Sequence, residues 1–165
     1  MNLFFLDASA LAKRYVQESG TSMIDYLFGQ ILLTRITILF LGALEVISIL
    51  VRKKNQGRIG TPAFAQALID FRAQVLQEPA LTKITATDPL AIAAIPLIER
   101  HSLNATDAVL LQSAIDLAAT LRTTGDDLVL VGSDQRLLRA AQAEGLLTFD
   151  PETQDQPVLD ALLQP

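Results

Sequence analysis

Four carboxylates lie in or directly after apolar stretches of this 165-residue chain, where a charged side chain is hard to explain by packing. Asp7 and Asp134 each follow an apolar run, whereas Glu45 and Asp107 lie inside one. An ionised carboxylate that leaves water is costly unless it is paired or bound to a metal ion. Too few suitably placed cations are near in sequence to pair all four, so the pattern favours a divalent metal site.

Each carboxylate also has a structural interpretation. Asp7 and Asp134 are suitable N-cap residues for the helices expected to follow them. Asp107 is expected in the first turn of a helix, where the helix dipole stabilises a carboxylate. Glu45 has the weakest structural alternative, because the residues four positions before and after it are leucine and isoleucine. A shared site for all four is therefore the stronger interpretation.

The net charge of −5 is unfavourable for binding nucleic acid, but local basic clusters can supply phosphate contacts. Two such clusters each follow one of the acids by one or two helical turns, and the alternative for each is a solvated helix face. Serines close to two of the acids are further candidates. The candidates for substrate contacts are Ser9, Lys13, Arg14, Arg52, Lys53, Lys54 and Ser133.

Short apolar strands alternate with helices along the chain. The predicted strands are residues 2–6, 31–37, 81–86, 128–132 and 146–149. The predicted helices are residues 8–16, 22–30, 39–55, 61–77, 88–101, 105–121 and 134–144. This alternation predicts a single α/β domain with a mainly parallel central sheet of about four to five strands flanked by helices. Ligands bind beyond the carboxyl ends of the strands in such sheets, which is where Asp7 and Asp134 are expected.

The domain is expected to span residues 1–150, followed by a loose C-terminal tail over residues 151–165 with a short turn at 159–163. The longest apolar stretch contains Arg35 and Glu45, so a membrane span is not expected. The N-terminus lacks the basic region of a signal peptide. Cysteine is absent, which excludes disulfides and thiolate ligands and suits a reducing compartment. These features predict a cytoplasmic protein that does not bind membranes.

Four short motifs carry a resemblance to a known family. They are Asp7-Ala8-Ser9-Ala10-Leu11, Leu44-Glu45-Val46, Leu103-Asn104-Ala105-Thr106-Asp107-Ala108 and Ser133-Asp134-Gln135-Arg136-Leu137. In this order and spacing, the chain resembles the PIN-domain family and is most similar to the VapC-type toxin ribonucleases of type II toxin–antitoxin systems. Each motif alone is weak, whereas four in the right order are specific. The resemblance covers about residues 2–149.

The resemblance implies a metal-dependent endoribonuclease with a PIN-like fold. Mg²⁺ or Mn²⁺ would be held by the four carboxylates, and water activated by the ion would hydrolyse the RNA phosphodiester bond. Without the ion, four converging acids should repel one another, and some should bind protons more tightly than free carboxyls do. The family also implies a homodimer and a cognate antitoxin protein, with apolar faces around residues 36–40 and 63–76 as candidate interfaces or core.

Other functions remain open. One alternative is a PIN-fold nuclease of RNA processing that has no antitoxin, and another is a PIN-like binding module without catalysis. A metal-dependent phosphatase would typically carry a second Asp two positions after the first, where this chain has Ser9. Family members often carry a Ser or Thr before the segment with the Glu, and Thr37 is the nearest candidate. His101 is expected at the surface, at the end of a helix, rather than as a general base.

Overall fold

A five-stranded parallel sheet forms the centre of the protein. The structure is a computed structural model that describes residues 1–164. The strands are β1 (Asn2–Leu6), β2 (Ile36–Leu39), β3 (Thr82–Ile84), β4 (Asp127–Val131) and β5 (Leu147–Phe149). They lie in the order β3-β2-β1-β4-β5, and every neighbouring pair is parallel. The predicted single α/β domain with a parallel sheet flanked by helices is confirmed.

Helices connect the strands and cover both faces of the sheet. They are α1 (Ala8–Ala12), α2 (Thr21–Gln30), α3 (Phe40–Asn55), α4 (Thr61–Phe71), α5 (Asp88–Ala93), α6 (Ile95–His101), α7 (Ala105–Arg122), α8 (Gln135–Ala143) and α9 (Gln156–Leu163). A π-helical segment, Arg72–Leu76, continues α4. The observed bounds of α3, α7 and α8 lie within one residue of the predicted ones. Within residues 1–164, no helix is long and apolar enough to cross a membrane.

The two faces of the sheet bury separate apolar clusters. Neighbouring side chains of a strand point to opposite faces, so Phe4 and Phe5 of β1 belong to different clusters. The cluster of Phe4 includes residues of α1 to α4 and of α9. The cluster of Phe5 includes residues of α7 and α8. Burial on both faces explains why the two central strands β1 and β4 are almost entirely apolar.

The predicted strand at residues 31–37 is wrong in its placement. Residues 33–35 form a 3₁₀ turn, and β2 begins where Ile36 lies opposite Phe4 of β1. The guanidinium of Arg35 donates hydrogen bonds of 2.8 and 3.0 Å to the backbone oxygen of Asn2, which places the entry to β2 beside the start of β1. All four residues of β2 are buried. Of the apolar face at residues 36–40, which was a candidate for an interface or for core, residues 36–39 therefore belong to the core.

Two predicted helices are shorter than expected. The helix predicted for residues 8–16 ends at Ala12, and its C-cap Lys13 pairs with Glu152 of the C-terminal segment. The helix predicted for residues 88–101 is divided at Ala94 into α5 and α6. Pro96 lies at the start of α6 and has no backbone N–H with which to continue the hydrogen-bond ladder of α5.

The predicted loose tail is wrong, because the C-terminal segment folds onto the domain. Residues 156–163 form α9, and Leu159 is fully buried in the cluster that contains Phe4. The hydroxyl of Tyr26 in α2 donates a hydrogen bond of 2.8 Å to Oδ1 of Asp160. The polar composition of residues 152–157 suggested a solvated chain, whereas these contacts depend on α2, which lies far away in sequence.

Candidate active site

All four predicted acids line one cavity at the carboxyl ends of the strands. The cavity has a volume of about 430 Å³. Asp7 follows β1 and Asp134 follows the neighbouring strand β4, separated from it by two residues. Glu45 reaches the cavity from α3 and Asp107 from the first turn of α7. The other lining residues are Ala8, Ser9, Ser48, Ile49, Arg52, Asn104 and Leu110.

Asp7 is the most deeply buried of the four carboxylates, at 6% exposed. It is the N-cap of α1, and its Oδ1 accepts a hydrogen bond of 2.7 Å from the backbone N–H of Ala10. Oγ of Ser9 lies 2.8 and 2.9 Å from its two oxygens and accepts a 3.0 Å hydrogen bond from the backbone N–H of Ser133. A Cβ atom on Gly132 would lie 2.9 Å from Oδ2 of Asp7. The loops after β1 and β4 therefore enclose this carboxylate.

Asp134 and Asp107 lie at the N-termini of α8 and α7. Oδ1 of Asp134 accepts hydrogen bonds of 2.8 and 3.0 Å from the backbone N–H groups of Arg136 and Leu137. Asn104 is the N-cap of α7. Its side chain accepts a 2.9 Å hydrogen bond from the backbone N–H of Asp107 and donates a 2.7 Å hydrogen bond to Oδ2 of Asp107. The capping role considered for Asp134 is thus present, and it does not remove the side chain from the cavity wall.

Glu45 lies within α3, about two turns from its start. Because α3 leaves the end of β2 and packs against α1, its half-buried Glu45 faces the cavity beside Asp7. Arg52 lies two turns further along the same face and also lines the cavity. Glu45 and Arg52 therefore place a carboxylate and a guanidinium on one wall.

The cavity makes two of its carboxyl groups unusually weak acids. The pKa of Asp7 is raised from 3.8 to about 7, mainly by burial and to a smaller extent by the charges of Asp107 and Asp134, while the hydrogen bonds from Ala10 and Ser9 act in the opposite direction. Burial also raises the pKa of Asp107 to about 6, with added repulsion from Asp134 and Glu45. The sequence predicted tighter proton binding from mutual repulsion, whereas burial is the larger cause. Ionisation of these groups leaves negative charge that a cation in the cavity would offset.

The donor set suits a hard divalent ion, but a coordination shell is not formed in this arrangement. Carboxylate oxygens are the ligands that Mg²⁺ and Mn²⁺ prefer. Within residues 1–164, no three side chains of the His, Cys, Asp or Glu type are placed to hold one ion together. The oxygens of Asp7, Asp107 and Asp134 instead accept hydrogen bonds at helix N-termini. These hydrogen bonds leave lone pairs on the carboxylate oxygens, through which the side chains would hold an ion in the cavity that they line.

Two of the lysines predicted to contact phosphate are committed to ion pairs. Lys13 is only 2% exposed, and its ammonium group pairs with Glu152 and Glu18. Lys53 pairs with the other oxygen of Glu18. The prediction of a phosphate contact is therefore wrong for the buried Lys13. This burial could not be predicted locally, because the partner Glu152 lies 139 residues further along the chain.

The other predicted basic contacts divide between the cavity and remote surfaces. Arg52 lines the cavity. Nζ of Lys54 lies 4.9 Å from the ring centre of Phe64. The guanidinium of Arg14 lies 4.2 Å from the ring centre of Phe28 and lines a separate cleft of about 180 Å³. Arg52 is thus the predicted basic residue that the structure brings beside the acids.

Several polar residues near the acids were not singled out from the sequence. The guanidinium of Arg136 donates a 3.0 Å hydrogen bond to the backbone oxygen of Ser102, and its charge lowers the pKa of Asp107. Asn104 was named only as part of a motif, and its side chain contacts the carboxylate of Asp107. Gly132 gave no signal at all. The helix-start sequence Asn104 to Asp107 was the one available clue, because a side-chain amide three residues before a carboxylate can contact it.

Three other polar residues do not line the cavity. Thr37 is fully buried in β2, and its Oγ1 has no hydrogen-bond partner in the described part of the chain. Oγ of Ser133 is likewise buried and unpartnered there, so this residue contacts the site through its backbone N–H. Nε2 of His101 lies 2.7 Å from Oε1 of Glu144, and the ring is largely buried rather than at the surface as predicted.

Replacing Ser9 with alanine is expected to raise the pKa of Asp7 further and to cost about 1 kcal/mol of stability. The Ser9 hydroxyl stabilises the ionised carboxylate and accepts the backbone N–H of Ser133, and alanine can do neither. An NMR titration of the Asp7 carboxyl carbon measures the effect. Ser113→Ala is the matched control, because its buried hydroxyl bonds only to Leu110 within α7. An unchanged titration midpoint in Ser9→Ala would contradict the assigned contact.

Comparison with known proteins supports the fold and not a sequence family. No protein-family model matches the chain, and no curated protein matches its sequence. PAE2754 from Pyrobaculum aerophilum is similar in structure, with 23% identity, a TM-score of 0.59, and 98% of both chains covered. The structure of FitAB bound to the IR36 DNA fragment has 11% identity and a TM-score of 0.66, covering 93% of this chain and 99% of that chain.

The crystal structure of FitAcB from Neisseria gonorrhoeae is a further match. It has 12% identity and a TM-score of 0.64 and covers 92% of this chain and all of that chain. Identities this low carry the fold alone. The chain thus shares the α/β fold of these structures, and its acid cavity lies at the carboxyl ends of the parallel strands.

Proposed function

We propose that this protein is a metal-dependent endoribonuclease of the PIN family that hydrolyses RNA phosphodiester bonds with Mg²⁺ or Mn²⁺. The observation that carries the proposal is the convergence of Asp7, Glu45, Asp107 and Asp134 on one open cavity of a PIN-like fold. Four acids from four separate segments have no common structural purpose there. A bound divalent ion would activate water and offset charge on the phosphate.

The residues of the chain have separate roles in this proposal. The four carboxylates hold the ion. Ser9 and the backbone N–H of Ala10 keep Asp7 in place and favour its ionised form. Arg52 lies on the cavity wall, where its guanidinium is available to a phosphate of the substrate. The roughly 430 Å³ of the cavity leave room for a phosphodiester beside the acids.

A toxin of a toxin–antitoxin pair is the biological setting that we propose. It is supported by the resemblance of the four acidic motifs to VapC-type toxins and by a fold shared with FitAB and FitAcB. A homodimer and a cognate antitoxin that covers the cavity belong to the same proposal. A neighbouring upstream gene for a small DNA-binding protein with a basic tail would favour the toxin over an RNA-processing nuclease.

Cleavage of total cellular RNA by the purified protein tests the proposed activity. Discrete RNA fragments are expected with Mg²⁺ or Mn²⁺ and not with EDTA, because the acids act through a divalent ion. Asp7→Asn and Asp107→Asn are each expected to abolish the fragments, since each removes a charged ligand while nearly preserving its shape. Asp116→Asn is the matched control, because Asp116 lies on α7 outside the cavity and is exposed.

Each outcome of this assay has a distinct meaning. Absence of cleavage by a protein that is folded by circular dichroism, with every RNA offered, would favour the binding-module alternative. Cleavage that survives both aspartate substitutions would mean that the acids are not the active site. A DNA fragment should be included as a substrate, because one similar structure, FitAB, was solved with DNA. Cleavage of DNA in preference to RNA would contradict the proposed substrate class.

A further inference from the structure

A polar network behind the acid cavity joins three of the four helices that carry the acids. Its centre is the turn at residues 150–153, which follows β5 at the same edge of the sheet as the cavity. Asp150 in this turn is a fifth carboxylate at a strand end, and it is buried at 5% exposed. It does not line the cavity, so its burial needs a separate explanation.

Asp150 connects the turn to α8. Its Oδ2 accepts hydrogen bonds of 2.7 Å from Nε2 of Gln135 and 2.8 Å from Oγ1 of Thr153. Its Oδ1 accepts a 2.9 Å bond from the backbone N–H of Glu152. Gln135 is the first residue of α8 and directly follows Asp134. The buried carboxylate of Asp150 thus anchors the start of α8 at the residue next to Asp134.

Glu152 connects the same turn to α1. Its carboxylate pairs with the buried ammonium group of Lys13, which is the C-cap of α1. Asp7 is the N-cap at the other end of this five-residue helix, so Glu152 anchors the helix that places Asp7. The turn also packs tightly, because a Cβ atom on Gly20 would lie 2.8 Å from the backbone oxygen of Pro151.

Glu18 extends the network to α3. Its Oε1 lies 3.5 Å from Nζ of Lys13, and its Oε2 pairs with Lys53 of α3, the helix that carries Glu45. The two lysine side chains are largely removed from water, and the charges of Glu18 and Glu152 offset theirs. Loss of one partner leaves the remaining charges buried without compensation, so the network holds α1, α3 and α8 in one arrangement.

We propose that this network positions Asp7, Glu45 and Asp134 for a divalent ion, so that its members act through the acids and not on the substrate. The inference rests on the proposed function. If the network has a purely structural role, a substitution that breaks it lowers the free energy of unfolding and leaves the ion affinity of the folded protein unchanged. If the network positions the acids, the same substitution also lowers the ion affinity, because the helices set the separations between the ligand oxygens.

Lys13→Met and Gln135→Leu break the network on the α1 and α8 sides with little change in volume. The Mn²⁺ affinity of each folded variant, measured by calorimetry, is expected to fall about tenfold or more. Glu152→Gln is a milder substitution at a more exposed side chain and serves if Lys13→Met does not fold. Arg122→Gln is the control and should leave the affinity unchanged, because the ion pair of Arg122 with Asp127 lies at the amino-terminal end of β4, opposite to the cavity.

Unchanged Mn²⁺ affinity in the folded network variants would overturn the positioning role. If the wild type itself binds no Mn²⁺, the proposed function fails, and the amide spectra of the metal-free proteins decide the positioning role instead. The N–H groups of Ala10 and Leu137 donate to Asp7 and Asp134 and report their positions. An altered amide shift of Ala10 in Glu152→Gln, whose substituted residue is remote in sequence from α1, supports positioning, whereas a wild-type shift refutes it.

Discussion

Replacement of Gly132 with alanine is expected to lower the affinity for Mn²⁺ about tenfold or more while the fold is retained. The new Cβ atom would lie 2.9 Å from Oδ2 and 3.0 Å from Cγ of Asp7, so the carboxylate must move. It cannot move freely, because the backbone N–H of Ala10 and the hydroxyl of Ser9 bind its oxygens. Displacement breaks those bonds and moves the most buried of the four acids. Calorimetric titration of the metal-free protein with Mn²⁺ measures the loss.

Gly29→Ala is the matched control for this substitution. Gly29 lies in α2, and no atom lies within 4 Å of the Cβ that alanine would add. Alanine in a helix is expected to be more stable than glycine by about 1 kcal/mol, and the Mn²⁺ affinity should equal that of the wild type. If Gly132→Ala is folded and binds Mn²⁺ as tightly as Gly29→Ala, then the carboxylate of Asp7 is not a ligand of the ion.

The elements that the sequence predicted well are those with strong local patterns. α3 and α7 are long, and their ends carry local signals: basic residues in the last turn of α3 and the capping Asn104 before α7. The start of β2 instead depends on the partner strand, since Ile36 begins the pairing opposite Phe4. The C-terminal helix α9 forms where Leu159 packs into the cluster that contains Phe4, and the polar residues around the helix do not predict this packing. Tertiary pairing is the information that local composition lacks.

The candidate site follows the same division. Asp7 and Glu45 stand out locally, because a carboxylate within or at the end of an apolar run has no evident packing role. Gly132 and Lys13 have no such signal, since glycine after a strand and lysine after a helix are ordinary at a surface. Their importance comes from close contacts with residues remote in sequence, namely Asp7 and Glu152. The acids were therefore predictable, and the groups that hold them were not.

The free energy of unfolding of the metal-free protein is expected to fall as the pH rises from about 4 to about 7. Burial raises the pKa of Asp7 to about 7 and that of Asp107 to about 6, so the folded protein binds protons more tightly than the unfolded chain. Stability decreases with pH wherever the folded state binds more protons. For Asp7 alone, the slope is at most about 1.4 kcal/mol per pH unit.

A bound divalent ion is expected to cancel this slope, so that the stability in excess Mn²⁺ is nearly independent of pH between about 5 and 8. The ion binds the ionised carboxylates and therefore competes with protons. For each carboxyl group that must lose a proton, the apparent affinity for the ion rises by up to about tenfold per pH unit at pH values below the pKa of that group. Tighter binding to the folded state adds to its stability. Urea unfolding at pH 5, 6, 7 and 8, in EDTA and in excess Mn²⁺, measures both slopes.

Asp7→Asn tests whether the negative slope arises in the cavity. The variant is expected to be more stable than the wild type at pH 8 in EDTA and to lose most of the gain from Mn²⁺, because the amide carries no charge that burial or repulsion penalises. The difference between the two proteins isolates Asp7, since every other titratable group is common to both. Asp116→Asn, at an exposed position of α7, should retain the wild-type slopes. Equal stability of Asp7→Asn and the wild type at pH 8 would mean that the Asp7 carboxylate is hydrated in solution, and the metal site would then have to be sought elsewhere.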